Sequence, residues 1–244
     1  MRTPWLPLSK MTYPGRLIAI GRDPSGLRNV VVYAISGRSP SSQARKLVPK
    51  SKAVWTEPTD PDILKRGKPE LLVYPAILMG RGIAVSNGRQ TPDIDGTSGQ
   101  SPVRVLDEGL RSWSFEPDAP IFTPRISGCV LPSNRTALSI IRRDPDGASL
   151  RLFFEFPLVP GQGKLISTYP GDISNPLPSF KGEPLDVEVN EDSPAETAEA
   201  VYNALKPREG EPDLRVAVAC VFARAADMAD YELTIINREE RMSR

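Results

Sequence analysis

Val216-Ala-Val-Ala-Cys-Val-Phe222 carries no polar side chain. A strand with one wet face alternates apolar and polar residues. An uninterrupted apolar run between turn signals fits a strand covered on both faces. Leu17–Gly21 and Val30–Ser36 are apolar and rich in β-branched residues, and Asp23-Pro24-Ser25-Gly26 joins them as a hairpin turn. Leu71–Met79 and Gly82–Ser86 form a second pair, with Gly80 and Gly82 at its turn. Thr136–Arg143 and Leu150–Phe156 form a third around Asp144-Pro145-Asp146-Gly147, and Leu185–Val189 and Glu232–Ile236 complete an antiparallel set. Two helices are expected. One starts at Ser101-Pro102, with Val103, Leu106, Leu110 and Trp113 on one face. The other starts at a capping box, Ser193 with Glu196, and buries Ala198, Val201, Tyr202 and Leu205. A short helix is expected around Gln43–Leu47. The fold class is α+β, two stacked sheets with outer helices. One domain spans 1–244, and 1–12 read as a loose leader.

Composition narrows the function. The 31 basic and 30 acidic residues nearly cancel, which argues against nucleic acid or a membrane surface held by net charge. No apolar run reaches the ~20 residues that span a bilayer, and no signal peptide is visible, so a cytoplasmic protein is expected. Cys129 and Cys220 match no metal-ligand spacing and read as free thiols. There is no histidine, which excludes a Ser–His–Asp triad, a Cys–His dyad and a His-based zinc site. Acid–base work falls to Tyr, Lys, Cys, a carboxylate or water.

Several Pro- and Gly-rich segments carry polar side chains, as a built pocket does. After Tyr33-Ala-Ile-Ser36-Gly37 the chain presents Arg38, Ser39, Ser41, Ser42 and Arg45, either an anion site or a solvated turn. Asn87 and Thr91 follow a strand end at an Asn-Gly turn. Glu116 to Gly128 reads EPDAPIFTPRISG; Arg125 within it either faces a ligand or pairs with Glu116 or Asp118. Lys164, Thr168, Tyr169 and Asp172 lie on or just after a Gly-flanked strand, where Lys164 is either a surface lysine or a buried proton carrier. Cys129 reads as a buried small residue, because no histidine or helix start activates it.

Together these stretches resemble the IMP cyclohydrolase family of the archaeal type, in its bacterial branch. The matching segments are YPGRLIAIGRDPSG (13–26), YAISGRS (33–39), VSNGRQT (85–91), EPDAPIFTPRISG (116–128), GQGKLISTYPGD (161–172) and NPLPSFKGEP (175–184). The resemblance implies a four-layer αββα sandwich similar to N-terminal-nucleophile hydrolases. It implies a cyclohydrolase that closes 5-formamidoimidazole-4-carboxamide ribotide to inosine monophosphate with loss of water, a step of purine biosynthesis. No cofactor or metal is implied, and the partner is a small purine ribotide; a homo-oligomer stays open. Arg125, Tyr33 and Lys164 are the catalytic candidates on this resemblance. Arg16, Arg38, Ser39, Arg45, Asn87, Thr91, Thr123 and Tyr169 are the substrate-binding candidates. The chain departs from the family pattern at Lys164 and Ser167, where histidines are usual, and at Gln43, Ala44 and Lys181. These departures leave open a diverged cyclase or amidohydrolase on a related nucleotide, or a non-catalytic nucleotide-binding module.

Overall fold

Two antiparallel sheets build the computed structural model, which describes residues 5–66, 68–94 and 101–242. The strands are β1 (Arg16–Arg22), β2 (Arg28–Ser36), β3 (Arg45–Lys50), β4 (Ala53–Pro58), β5 (Pro75–Met79), β6 (Ile83–Ser86), β7 (Arg125–Val130), β8 (Thr136–Arg143), β9 (Ser149–Phe156), β10 (Gln162–Ser167), β11 (Leu185–Glu188), β12 (Arg215–Arg224) and β13 (Asp227–Asn237). One sheet runs β11-β10-β1-β2-β12-β13 and the other β3-β4-β5-β6-β7-β8-β9.

The apolar run that opens the sequence reading lies within β12, between β2 and β13. Ala217, Ala219 and Val221 face the core between the sheets, while Val218, Cys220 and Phe222 face the helix Pro194–Ala204. Both faces are covered, which is why the run needs no polar residue. The inter-sheet core joins Ile18, Ile20 and Ile35 to Ile77, Val85, Ile126 and Leu138. Each such side chain contributes ~1.5–3 kcal/mol relative to exposure. On the opposite outer face, Val105, Leu106 and Leu110, on and just after helix Pro102–Gly109, pack on Ala84, Cys129, Ala137 and Ile141. The packing order is therefore helix, sheet, sheet, helix.

Both helix starts follow their expected caps. Ser193 Oγ accepts from Glu196 N at 3.2 Å, and Ser101 Oγ accepts from Arg104 N at 3.3 Å. No helix among the described residues is long and apolar enough to cross a membrane.

Three local expectations fail for identifiable reasons. Residues 5–12 are not loose: Trp5 and Leu8, three apart on one face of a short helical turn, are buried against the six-stranded sheet. Residues 1–4 lie outside the described residues. Helix Pro40–Gln43 ends before Arg45, and the expected Gln43–Leu47 helix is instead mostly β3. Arg45 and Leu47 are buried while Lys46 and Val48 are only partly so, a period of two, and Pro49 cannot sit in a helix interior. Leu71 and Leu72 belong to the turn Pro69–Leu72, so the following strand starts only at Pro75.

Candidate functional site

At one end of the sandwich, Arg16 opens β1, Arg125 opens β7, Asn87 follows β6 and Thr168 follows β10. Strand ends from both sheets thus meet the irregular segments that join them. Gly15 turns the chain into β1 with φ of +73°, and Arg16 N donates to Thr168 Oγ1 at 3.2 Å.

Arg16 is the centre of the cluster. Its Nη2 donates to Glu116 Oε1 at 2.6 Å, and Arg16 is only 7% exposed. Its Nε is buried without a hydrogen-bond partner. Burial opposes the charge on Arg16 more than any single neighbour favours it, but the Glu116 carboxylate together with Tyr74, Tyr169 and Tyr33 outweighs burial and raises the guanidinium pKa above the usual arginine value. Glu116 is pushed above the ordinary glutamate range by burial, against the pull of Arg16 and Arg125.

A web of bonds fixes Glu116. Its N–H donates to Thr123 O at 2.8 Å, and Asp118 accepts from Thr123 N at 2.7 Å and Thr123 Oγ1 at 2.5 Å. Tyr169 Oη lies 2.7 Å from Thr123 Oγ1, and the Tyr169 ring stacks on Tyr13 with centroids 5.4 Å apart. Burial pushes the Tyr169 phenol well above its usual value. Asn87 Nδ2 donates to Pro124 O at 2.9 Å and reaches Glu116 Oε1 at 3.4 Å. Its Oδ1 accepts from Ile126 N at 2.8 Å and from Gln90 Nε2 at 3.2 Å.

A hollow of about 220 Å³ opens in front of this web, lined by Arg16, Arg38, Ser39, Glu116, Thr123 and Tyr169 together with Tyr13, Lys68 and Leu177. That is small beside the ~300–1,000 Å³ of a typical ligand site. Exposed Arg38 lies 5.7 Å from the Tyr13 ring centroid at the rim. Ser39 caps the helix Pro40–Gln43, its hydroxyl accepting from Ser42 N at 3.2 Å.

Other candidates stand behind the wall. Tyr33 Oη and Tyr74 Oη are 2.7 Å apart, and neither residue is exposed. Burial raises the Tyr33 pKa well above normal, with Tyr74 adding to it and Arg16 and Arg45 opposing it. Arg45 is 2% exposed; its Nε donates to Ser42 O at 2.9 Å and its Nη1 is buried without a partner. Arg125 donates from Nε to Ser114 O at 2.8 Å and from Nη1 to Gln90 Oε1 at 3.1 Å, with Trp113 beneath it at 4.8 Å.

Asn87 likewise does not line the hollow, and two further candidates stand apart from it. Thr91 is fully buried in its own turn, 2.5 Å from Ser86 Oγ and 3.0 Å from Gly88 O. Lys164 lies along β10 opposite Ile20, paired with Asp186 at 2.7 Å and one-third exposed. It is four residues from Thr168, roughly 13 Å along the strand at ~3.3 Å per residue. Cys129 is buried, and burial pushes its thiol up to about 12, so it behaves as core.

Sequence reasoning took Glu116 only as a partner for Arg125. The structure joins it to Arg16, which lies one hundred positions away and which no local pattern links to it. Tyr13 and Tyr74 were also missed as parts of the cluster. The signals available were slight: Tyr13 opens the YPGR motif three residues before β1, and Tyr74 directly precedes β5 at Pro75.

Among the described residues no group of three or more His, Cys, Asp or Glu is placed to hold a metal. The side chains in the hollow offer guanidinium donors, the Lys68 ammonium, two carboxylates (Glu116 and Asp118) and phenols. They suit a ligand that brings anionic charge and carbonyl oxygens. A comparison with curated proteins returns no match. Residues 13–226 match the family model described as IMP cyclohydrolase-like protein, and over that span, most of its length, the chain belongs to the IMP cyclohydrolase-like family.

Proposed function

We propose that the hollow binds 5-formamidoimidazole-4-carboxamide ribotide and closes it to inosine monophosphate, releasing water, as a cytoplasmic enzyme. The observation that carries this reading is Arg16, buried and charged beside Glu116 yet with an unfilled Nε donor in a residue that lines the hollow. A buried donor left open costs ~1–3 kcal/mol; the Nε is closed to solvent, so a substrate oxygen fills it once the guanidinium turns toward the hollow. The helix–sheet–sheet–helix packing supports the N-terminal-nucleophile-hydrolase-like sandwich that the family resemblance implies.

The reaction needs little beyond placement and proton traffic. The carboxamide nitrogen attacks the formyl carbon, and its lost proton goes to the former formyl oxygen. The resulting carbinol hydroxyl then leaves as water with one further proton, while the adjacent ring-forming nitrogen gives up its own. No oxidation state changes. Holding the two arms together can lower the barrier by up to ~7–11 kcal/mol.

Arg16 is the donor for the oxygen on which negative charge develops. Glu116 holds that guanidinium and, raised above its usual range, is a carrier for the transferred proton. Tyr169 and Thr123 orient the ring from the opposite wall. Arg38 and the Ser39–Ser42 turn take the phosphate at the mouth, with Arg45 supporting the turn through Ser42. In this reading Arg125 acts from behind, keeping positive charge near Glu116, and Tyr33 supports the wall through Tyr74.

The direct test mixes purified protein with the formylated ribotide and follows purine absorbance, with the unformylated ribotide as the binding control. Turnover is expected; its absence despite tight binding would replace an enzyme with a nucleotide-binding module. The position of Lys164 outside the hollow favours that second reading, since the residue standing at a usual histidine position is out of reach.

A further inference from the structure

A second hollow of about 710 Å³ lies beside helix Pro194–Ala204, lined by Gln43, Tyr202, Lys206, Asp213, Arg215, Arg238 and Arg241, with Asn203 at its edge. Its charge is unbalanced. Arg215 is paired with Asp213 at 2.6 Å, and Arg241 is paired with Glu199. Arg238 donates only to neutral oxygens, Asp213 O at 3.0 Å and Gln43 Oε1 at 3.3 Å. Lys206 is exposed and has no ion-pair partner among the described residues. Among the described residues two of the four cations thus have no carboxylate of their own, Arg238 sharing the field of Asp213 with Arg215, and the surplus positive charge converges on one concavity.

The geometry points to a second anion site here, for a small molecule bearing phosphate groups, built around Arg238 and Lys206. Guanidinium forks and an ammonium are the side chains that hold phosphate oxygens. Tyr202 gives the floor rigidity: Arg215 and Arg241 lie over its ring at 4.3 and 4.6 Å. This site is separate from the hollow at Arg16 and shares none of its lining residues.

The two hollows are nevertheless linked. Gln43 accepts from Arg238 and donates from Nε2 to Gly37 O at 2.9 Å. Gly37 N in turn donates to Leu214 O at 2.8 Å, next to the Asp213 carbonyl that Arg238 holds. Gly37 immediately precedes Arg38 and Ser39 at the mouth of the first hollow. An anion that draws Arg238 away from Gln43 therefore loosens the turn that presents Arg38.

Inorganic pyrophosphate is the probe, titrated by calorimetry into the full chain at low and at physiological salt. Lys206→Glu and Arg238→Gln should each weaken its binding by at least tenfold, whereas Arg38→Gln, at the exposed mouth of the first hollow, should leave that binding within about twofold. Equal loss in Arg38→Gln, unchanged binding in either Lys206→Glu or Arg238→Gln, or no binding to the unaltered chain would each overturn the proposal. Lys206 is exposed, so its variant tests the site without threatening the fold. Because the readout is binding rather than turnover, its failure is distinct from failure of the cyclohydrolase reading.

Discussion

Arg16 and Glu116 form a buried ion pair, 2.6 Å from Nη2 to Oε1, between the first strand of one sheet and the segment leading into β7 of the other. The pair ties the two sheets together at the end where the hollow lies. Removing one partner strands the other charge out of water, which costs ~3–5 kcal/mol. Arg16→Met and Glu116→Gln should each lower stability in denaturant unfolding, Arg16→Met by that amount and Glu116→Gln by less, since the amide still accepts a bond. The double variant should regain part of the loss, yet neither single nor double variant should close the formylated ribotide. Recovered turnover in the double variant would remove the pair from the mechanism.

Glu116 also sets a pH dependence. Its pKa in the folded protein is raised by burial, so the folded state holds the proton to higher pH than the unfolded chain does. Its contribution to stability is therefore full below the unfolded pKa and falls as pH rises through the folded one. Activity runs the other way, because the ionised carboxylate holds Arg16. The acid limb of kcat/KM should show an inflection above the ordinary glutamate range. Stability in denaturant unfolding should step down over the same pH range, and in Glu116→Gln that step should vanish; its persistence would assign it to another group.

The fold was legible wherever one residue pattern has one structural meaning. Val216–Phe222 fits a doubly covered strand, and Asp23-Pro24-Ser25-Gly26 is a strong turn signal. The strands β3 and β4 were hidden because Arg45, Lys46 and Lys50 break the apolar signal while the period of two survives underneath. β7 was hidden because its Gly128 and Ser127 read as loop, although a side chain at Gly128 would press on Ile20 and Leu138 in the core. The candidate site was legible in its segments but not in its pairings. Sequence named Arg16, Thr123 and Tyr169 as candidates from separate segments, and the structure sets all three on one hollow, yet the bond from Arg16 to Glu116 depends on long-range topology. Thr91 and Asn87 looked like ligand contacts because a buried turn needs the same polar residues to satisfy its own backbone.

Asp23 governs the β1–β2 turn. Its carboxylate accepts from Arg28 N at 2.9 Å and Ser25 Oγ at 2.5 Å, with Arg28 Nε at 3.2 Å. Burial would raise its pKa, but these bonds and the Arg28 charge outweigh burial and leave it lowered. The resulting stability is present above the unfolded pKa and is lost as pH falls through the folded one. Asp23→Asn should cost ~1–3 kcal/mol at neutral pH, and the gap to the unaltered chain should close in acid. A gap that is constant with pH in thermal unfolding would assign the loss to packing instead.

Arg45 and Lys164 offer opposite outcomes from the same kind of substitution. Lys164 sits one-third exposed beside Asp186, and an exposed pair contributes ~0–1 kcal/mol. Lys164→Met should keep both stability and turnover within about threefold. Arg45 is almost wholly buried, holds the Ser39–Ser42 turn through Ser42 O, and keeps an open Nη1 donor. Arg45→Met loses that brace and the donor together while preserving most of the buried volume. Binding of the ribotide, measured by calorimetry, should weaken by at least tenfold, with KM rising more than kcat falls, because the turn presents the phosphate contacts rather than the reacting atoms. A Lys164→Met enzyme that lost turnover while binding substrate normally would return the proton relay to β10 and displace Glu116 from it.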